Sequence, residues 1–465
     1  MKYSLLYVAT LVGGCAAHSA SEWANRTIYQ VLTDRFAAVG SDDWQACTDL
    51  TKYCGGTWAG IENQLDYIAG MGFDAIWISP MPENLGDDYH GYAFLDLYSP
   101  NSHFGTGDSL RSLVDAAHAR DPPMWVMLDV VGNHVAPVDE AYELVTPFNL
   151  SSHYHYPICQ IEDWSNQDEV ENCRLSNLPD LDQSNEYVRS TLLDWVTSLK
   201  ADYGFDGLRV DTVCEVPPDF WTEWNKAANM YCVGEVFNGD INYVAPYQNY
   251  LDGMLSYPLY FAMMDVFGSQ NSMTEFEGLI GPSGSYSAFK NVDYLGTFVD
   301  NHDNARFLYS QSNWALYKNA LTMTLFNFGI PIIYYGSEQG YNGGNDPANR
   351  ESMWPNYDTS SELYKFIASL VTTRQREAVW TEAQVQRYSS ENFYAFSRGS
   401  TLVCLTNSGG DGVSATISFL PPSYVDGTTV CNVLNGDFDC VTVVDGRITV
   451  ALDEGLPKVF TISSA

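Results

Sequence analysis

From Thr27 onward, short apolar runs recur along the chain at intervals that leave room for a helix between them. Ile28–Leu32, Ala75–Ser79, Trp125–Val131, Gly207–Asp211, Tyr231–Glu235, Leu251–Ser256, Leu295–Val299 and Pro331–Tyr335 read as strands. Between several of them the period changes to that of an amphipathic helix. Ile61, Leu65 and Ile68 share one face; Val188, Leu192, Trp195 and Leu199 share another; Leu316, Ala320 and Met323 make a third. Repeated strand–helix units imply an α/β fold with a parallel sheet, and eight of them predict a closed (β/α)8 TIM barrel. An open doubly wound sheet is the alternative, but no glycine-rich nucleotide loop follows the first strand.

Two stretches break the alternation. Residues 135–185 carry few helical signals and many polar and aromatic residues, which predicts an irregular inserted domain after the third strand. From residue 385 to 465 the pattern becomes short alternating strands with turns at Ser408-Gly409-Gly410-Asp411-Gly412 and Asn435-Gly436, a C-terminal antiparallel β-sandwich. The barrel is thereby assigned to residues 22–134 and 186–384.

Charge narrows the function. Fifty-eight acidic residues against 22 basic ones give a formal net charge of -36, which argues against nucleic acid or an acidic membrane surface as partner. Lys2, the apolar run Tyr3–Val12 and the small residues Gly13-Gly14-Cys15-Ala16-Ala17 read as a signal peptide over residues 1–17, with cleavage as late as Ala20 as the other reading. The run is too short to span a bilayer, so the protein is expected to be secreted and extracellular. In that compartment the close pairs Cys47 with Cys54, Cys159 with Cys173, and Cys431 with Cys440 suggest local disulfides. Cys214, Cys232 and Cys404 remain; Cys214 and Cys232 lie at the ends of neighbouring strands, either paired or as buried thiols. Asn25-Arg26-Thr27 and Asn149-Leu150-Ser151 are glycosylation motifs, at Asn25 and Asn149.

The polar clusters fall where a (β/α)8 barrel keeps its chemistry, at the C-terminal ends of strands. The third strand ends in Asp129-Val130-Val131-Gly132-Asn133-His134 and the fourth in Arg209-Val210-Asp211. The fifth ends in Gly234-Glu235-Val236-Phe237, and the seventh runs into Asp300-Asn301-His302-Asp303. One arginine–aspartate pair closing a strand is ordinarily structural. Four acidic strand ends with two histidines are not accounted for in that way.

These four stretches, with Leu178-Pro179-Asp180-Leu181-Asp182, resemble the conserved regions of the α-amylase family of glycoside hydrolases. Tyr53-Cys54-Gly55-Gly56-Thr57-Trp58 and Gly343-Gly344-Asn345-Asp346-Pro347-Ala348-Asn349-Arg350-Glu351 are most similar to the secreted fungal members, and the resemblance runs from about residue 22 to the C-terminus. It implies Asp211 as nucleophile, Glu235 as general acid/base and Asp303 as the carboxylate that stabilises the transition state, the division of labour that a retaining glycosidase needs. Arg209 would pair with Asp211, while crowding by neighbouring carboxylates would keep Glu235 protonated. His134 and His302 would bond sugar hydroxyls at the cleavage point, and Tyr92 would stack on the same sugar with His90 beside it. Asp346 and Arg350 would hold the next sugar. Trp164 would flank a donor-side sugar, with exposed packing as its alternative. The resemblance also implies a structural Ca2+ held by Asn133, Glu171, Asp180 and the backbone carbonyl of Glu215, all oxygen donors as calcium requires.

The chain departs from the fungal pattern in places. Cys214-Glu215 stands where those enzymes usually have Lys-His contacting the leaving-group side, which makes Glu215 a candidate sugar contact of altered character. Ala93 replaces a frequent Trp after the Tyr. The expected activity is endo-hydrolysis of α-1,4 bonds in starch, amylose and maltooligosaccharides by a monomer without nucleic-acid or membrane partners. The rivals are a glucanotransferase or maltose-forming enzyme with altered acceptor sites, and, more remotely, a non-catalytic sugar-binding relative.

Overall fold

The computed structural model describes residues 18–40, 45–435 and 439–462; the expected signal peptide, residues 1–17, lies outside them. All eight expected strands form: β1 Ile28–Gln30, β2 Ala75–Ile78, β3 Trp125–Val130, β4 Gly207–Val210, β5 Tyr231–Gly234, β6 Gly253–Met254, β7 Gly296–Thr297 and β8 Ile330–Tyr334. Each β1–β8 neighbour is parallel. The sheet order is β6-β5-β4-β3-β2-β1-β8-β7, and a parallel bridge between Leu255 and Gly296 closes the ring. The alternative of an open sheet is thereby excluded.

Two-residue alternation decides what the barrel encloses. Trp125 and Met127 of β3, Tyr231 and Val233 of β5, and Ala75 and Trp77 of β2 share one buried cluster with Trp23, Ile28, Phe298, Ile330 and Ile332. Trp23 plugs the N-terminal end: a Cβ on Gly207 would lie 2.7 Å from its indole, so only glycine fits there. Below the same end, Trp125 is sandwiched between the His18 imidazole and the Arg26 guanidinium, each 3.7 Å from its ring.

The helical faces pack as their spacing requires. Val188, Leu192, Trp195 and Leu199 are all buried on Glu186–Tyr203, which Asn185 caps by accepting from the N–H groups of Tyr187 and Val188. Ile61, Leu65 and Ile68 are buried too, on two short helices, Trp58–Asn63 and Leu65–Ala69, that meet at Gln64. On Trp314–Phe326 every residue from Leu316 on is buried, because the C-terminal sheet covers the face that the barrel leaves. Asn319 donates to the Gly455 carbonyl and accepts from the Thr406 N–H.

After β2 a hairpin of Pro82–Asn84 against Phe94–Pro100, which the apolar pattern did not reveal, carries His90 and Tyr92 over the barrel mouth. Residues 135–185 are irregular apart from a 3-10 turn at Ser151–His153 and a helix at Gln167–Asn172. The C-terminal strands are all antiparallel: β9 Gln384–Ser389, β10 Tyr394–Arg398, β11 Thr401–Leu405, β12 Val413–Ile417, β13 Thr429–Asn432, β14 Cys440–Thr442, β15 Ile448–Leu452 and β16 Lys458–Ile462. They form a six-stranded sheet and a β12–β15 pair around one apolar cluster that includes Phe393, Ile417, Val450 and Phe460. The three expected disulfides are present, and Cys214, Cys232 and Cys404 are buried free thiols, so Cys214 and Cys232 do not pair.

Candidate active site

The inward alternation of each strand climbs from apolar at the plug to ionisable at the mouth: Met127 then Asp129, Gly207 then Arg209 then Asp211, Val233 then Glu235. Strand register sets Arg209 opposite Asp129. Its guanidinium is the hub of the site. Nη1 donates to Asp129 Oδ1 at 2.9 Å and to Asp211 Oδ1 at 2.7 Å, while Nη2 pairs with Glu235 Oε2 at 2.9 Å. Arg209 is buried beneath the cleft. One buried cation faces three carboxylates, so their charges are not all compensated, and burial raises the pKa of Asp129 to about 7. Burial, reinforced by Asp211, Asp303 and Glu215, pushes Glu235 well above the usual carboxylate range against the pull of Arg209.

Backbone shape aims these groups. A Cβ on Gly234 would come within 2.9 Å of Leu251, Met254 and Val213, so β5 passes through a gap only glycine fits before presenting Glu235. Thr212 has φ 48 and ψ 51, a left-handed conformation uncommon for a β-branched residue. The turn brings its N–H to 3.3 Å from Glu235 Oε2, while Tyr257 donates to Oε1 at 3.2 Å. Such strain, on the order of 1–3 kcal/mol, persists where the surroundings over-determine it.

A chain of polar contacts ties the hub to His302. Trp77 Nε1 and the Tyr92 hydroxyl both donate to Asp129 Oδ2. Having given its proton, Tyr92 accepts from His302 Nε2 at 2.7 Å, and Gln30 donates to His302 Nδ1 at 2.9 Å. His302 is therefore a neutral imidazole protonated on Nε2, in keeping with burial and the nearby arginines depressing its pKa. On the same side, Arg350 faces Asp303 at 3.6 Å and Asp346 at 3.1 Å. Burial raises the pKa of Asp303 against the pull of both arginines.

These groups line a cleft of about 650 Å³. Of the expected residues, His90, Tyr92, His134, Trp164, Asp211, Glu215, Glu235, His302, Asp303, Asp346 and Arg350 face it. Tyr92 lies with its ring flanked by His90 and nearly parallel to His302. His134 directs Nε2 to the Tyr92 carbonyl at 3.0 Å. Trp164 is exposed at the rim. Two lining aromatics were not singled out from sequence: Phe237, 51% exposed, and Tyr243. Phe237 sits in the motif around Glu235, where an apolar residue beside a general acid was the available signal.

The expected cation ligands converge in part. A carbonyl only accepts, so His134 Nε2 carries the hydrogen that bonds Tyr92 O; burial keeps the ring neutral, so Nδ1 accepts, and it does so from Asn133 Nδ2 at 3.3 Å. That turns Asn133 Oδ1 to 3.0 Å from Asp180 Oδ1 and 3.1 Å from Glu215 O. Asn133 Oδ1 facing two further acceptors is an arrangement a cation would stabilise, whereas the reversed amide would donate to both. Asp180 Oδ2 is buried without a hydrogen bond among the described residues, and burial with the Glu215 and Asp182 charges raises its pKa. Glu171 instead accepts from Gln167 at 2.8 Å. Among the described residues no cluster of three His, Cys, Asp or Glu is arranged to hold a metal ion; the expected set contains only two carboxylates.

Comparison with known proteins agrees with this geometry. Residues 30–398 match the α-amylase catalytic-domain model, and residues 386–465 match that of α-amylase domain C. α-Amylase 2 of Schwanniomyces occidentalis is 39% identical over 96% of this chain and 92% of its own length. The solved α-amylase of Malbranchea cinnamomea superposes with a TM-score of 0.86 at 39% identity, over 96% of this chain and 98% of its own. A cyclomaltodextrin glucanotransferase with a three-domain ABC distribution gives 0.82 at 26% identity, over 94% and 99%. A barrel with these carboxylates at its mouth, matched along nearly its whole length, belongs to the α-amylase family of glycoside hydrolases and hydrolyses α-1,4-glucosidic bonds in starch and related α-glucans.

Proposed function

We propose that the hydrolysis proceeds with retention through Asp211, Glu235 and Asp303. Asp211 attacks the anomeric carbon while Glu235 gives its proton to the leaving glycosidic oxygen, forming a covalent glycosyl-enzyme. Glu235, now ionised, takes a proton from water, whose oxygen displaces Asp211 and restores the α configuration. Asp303 bears on the charge that develops at the sugar ring. The observation carrying this reading is Arg209: one guanidinium bonds Asp211 and Glu235 together, drawing the carboxylates close, as direct attack rather than a water-spaced inversion requires.

The sugar at the cleavage point would meet His90, Tyr92, His134 and His302, the next one Asp346 and Arg350, and a donor-side one Trp164. Asn133, Asp180, Glu171 and the Glu215 carbonyl would hold a calcium ion that stiffens the junction between residues 135–185 and the barrel. The three disulfides support an extracellular location, and we read the protein as a monomer acting on starch, amylose and maltooligosaccharides. The domain assignment is 22–134 with 186–384 for the barrel, 135–185 for the insert and 385–465 for the sandwich. Exposed Asn149 suits glycosylation, whereas the Thr27 of the Asn25 motif is buried.

A transferase reading is favoured by one feature, the exposed Phe237 ring beside Glu235, which would hold an acceptor sugar in place of water. Chain lengths and anomeric configuration followed over time on maltoheptaose and soluble starch separate the two: short α-anomeric products identify hydrolysis, and products longer than the starting sugar identify transfer. Asp211→Asn is expected to abolish both, and near-normal activity in that variant would remove Asp211 as nucleophile.

A further inference from the structure

We propose that Gln167 is the positioning residue that sets the leaving-group end of the cleft, an inference that rests on the hydrolytic reading above. Gln167 opens the short helix Gln167–Asn172 of the inserted segment, far in sequence from every strand end. Its amide nevertheless reaches into the barrel mouth. Nε2 donates to Glu171 Oε1 at 2.8 Å and to the Cys214 carbonyl at 2.9 Å, with the Tyr247 hydroxyl at 3.3 Å as a weaker third contact. Oε1 accepts from the Tyr243 hydroxyl at 2.6 Å. The orientation is unambiguous: an amide has two hydrogens, and the two nearest partners on that side are acceptors only.

One side chain thus joins three elements: the insert, the 213–215 turn after β4, and the Ile241–Asn249 segment after β5. Each bears a group that faces the cleft. The Cys214 thiol donates to Glu215 Oε2 at 3.2 Å, so fixing the Cys214 backbone also fixes the Glu215 carboxyl. Tyr243 lines the cleft directly. The 213–215 turn adjoins the general acid: the Val213 N–H donates to the Glu235 carbonyl at 3.0 Å and the Thr212 N–H to Glu235 Oε2 at 3.3 Å. A general acid stands beside the oxygen it protonates, so this is the leaving-group side. With neither lysine nor imidazole at 214 and 215, the polar groups lining the cleft near there include Glu215, Tyr243 and Asn238, and Gln167 holds the first two in register.

The test compares Gln167→Leu, Gln167→Glu and Tyr243→Phe with the unaltered enzyme on two substrates. Maltoheptaose fills several leaving-side positions. An aryl maltotrioside leaves only the aryl group there. Gln167→Leu is expected to lose about tenfold in kcat/KM on maltoheptaose, mostly through KM, and to shift its cleavage pattern, with less than a twofold change on the aryl glycoside. Gln167→Glu keeps an acceptor for Tyr243 and is expected to fall between the two. Equal losses on both substrates, or none on either, would overturn the proposal. If Gln167→Leu fails to give a cooperative melt, Tyr243→Phe is read by the same ratio. Failure of the unaltered enzyme to cleave either substrate would instead count against the hydrolytic reading.

Discussion

At the scale of single residues, the site is a problem in sharing charge. Arg209 compensates one of the three carboxylates it touches, and burial outweighs the guanidinium at Glu235, holding its pKa well above the usual carboxylate range. A raised pKa extends the protonated, competent acid upward from the ordinary carboxylate range, so kcat is expected to hold above that range and to fall as pH rises through the raised value. The same shift makes Glu235 a stabilising group in acid, with that contribution lost over the same rise in pH. Glu235→Gln is expected to lower kcat by on the order of 10³-fold and to flatten the alkaline limb of the pH–rate profile; an unmoved limb would assign it to another group. Arg209→Lys keeps a cation but cannot bridge, and strands buried carboxylates. Its expected cost is about 3–5 kcal/mol, read as a lower denaturation midpoint together with lost activity.

At the scale of elements, strand ends were the readable part. Eight apolar runs gave eight strands, including β6 and β7, which are only two residues long, because parallel strands buried on both faces need uninterrupted apolar sequence. Arg209, Asp211 and Glu235 were legible because they close apolar strands, and their roles came from the resemblance to the family motifs. Elements without a period were not legible as elements, although the family motifs still singled out His90, Tyr92 and Trp164, which line the cleft. The Pro82–Pro100 hairpin holds its register through bulges, and Gln167 acts from a six-residue helix whose position depends on the Cys159–Cys173 loop beside it. Phe237 was visible but unassigned, since an exposed aromatic acquires meaning only once Tyr257 and Phe261 are seen packed behind it, at 4.5 and 6.1 Å. Phe237→Ser is expected to weaken acceptor binding by about tenfold and to deplete any products longer than the substrate. Unchanged product lengths would make the ring a mere rim contact.

At the scale of the whole molecule, the oxygen cluster at Asn133, Asp180 and Glu215 links the insert to the barrel, so an ion held there stabilises the folded state by linkage. Chelation with EDTA is expected to lower the melting temperature by about 5 °C, restored by calcium in excess of the chelator. A melting temperature indifferent to both would remove the ion from the structure. The other junction, between barrel and sandwich, is sealed by the helix Trp314–Phe326, whose residues from Leu316 to Phe326 have no solvent face. Asn319 completes backbone hydrogen bonding on the far side of it, and Arg398 reaches back to the Asn327 carbonyl at 2.8 Å. In engineering terms the sandwich is therefore not a cassette. A chain stopped at residue 384 would expose an oily helix on the outside of the barrel and precipitate, and the intact protein would melt in one calorimetric step. Swapping C-terminal domains between relatives would succeed only where this helix travels with them.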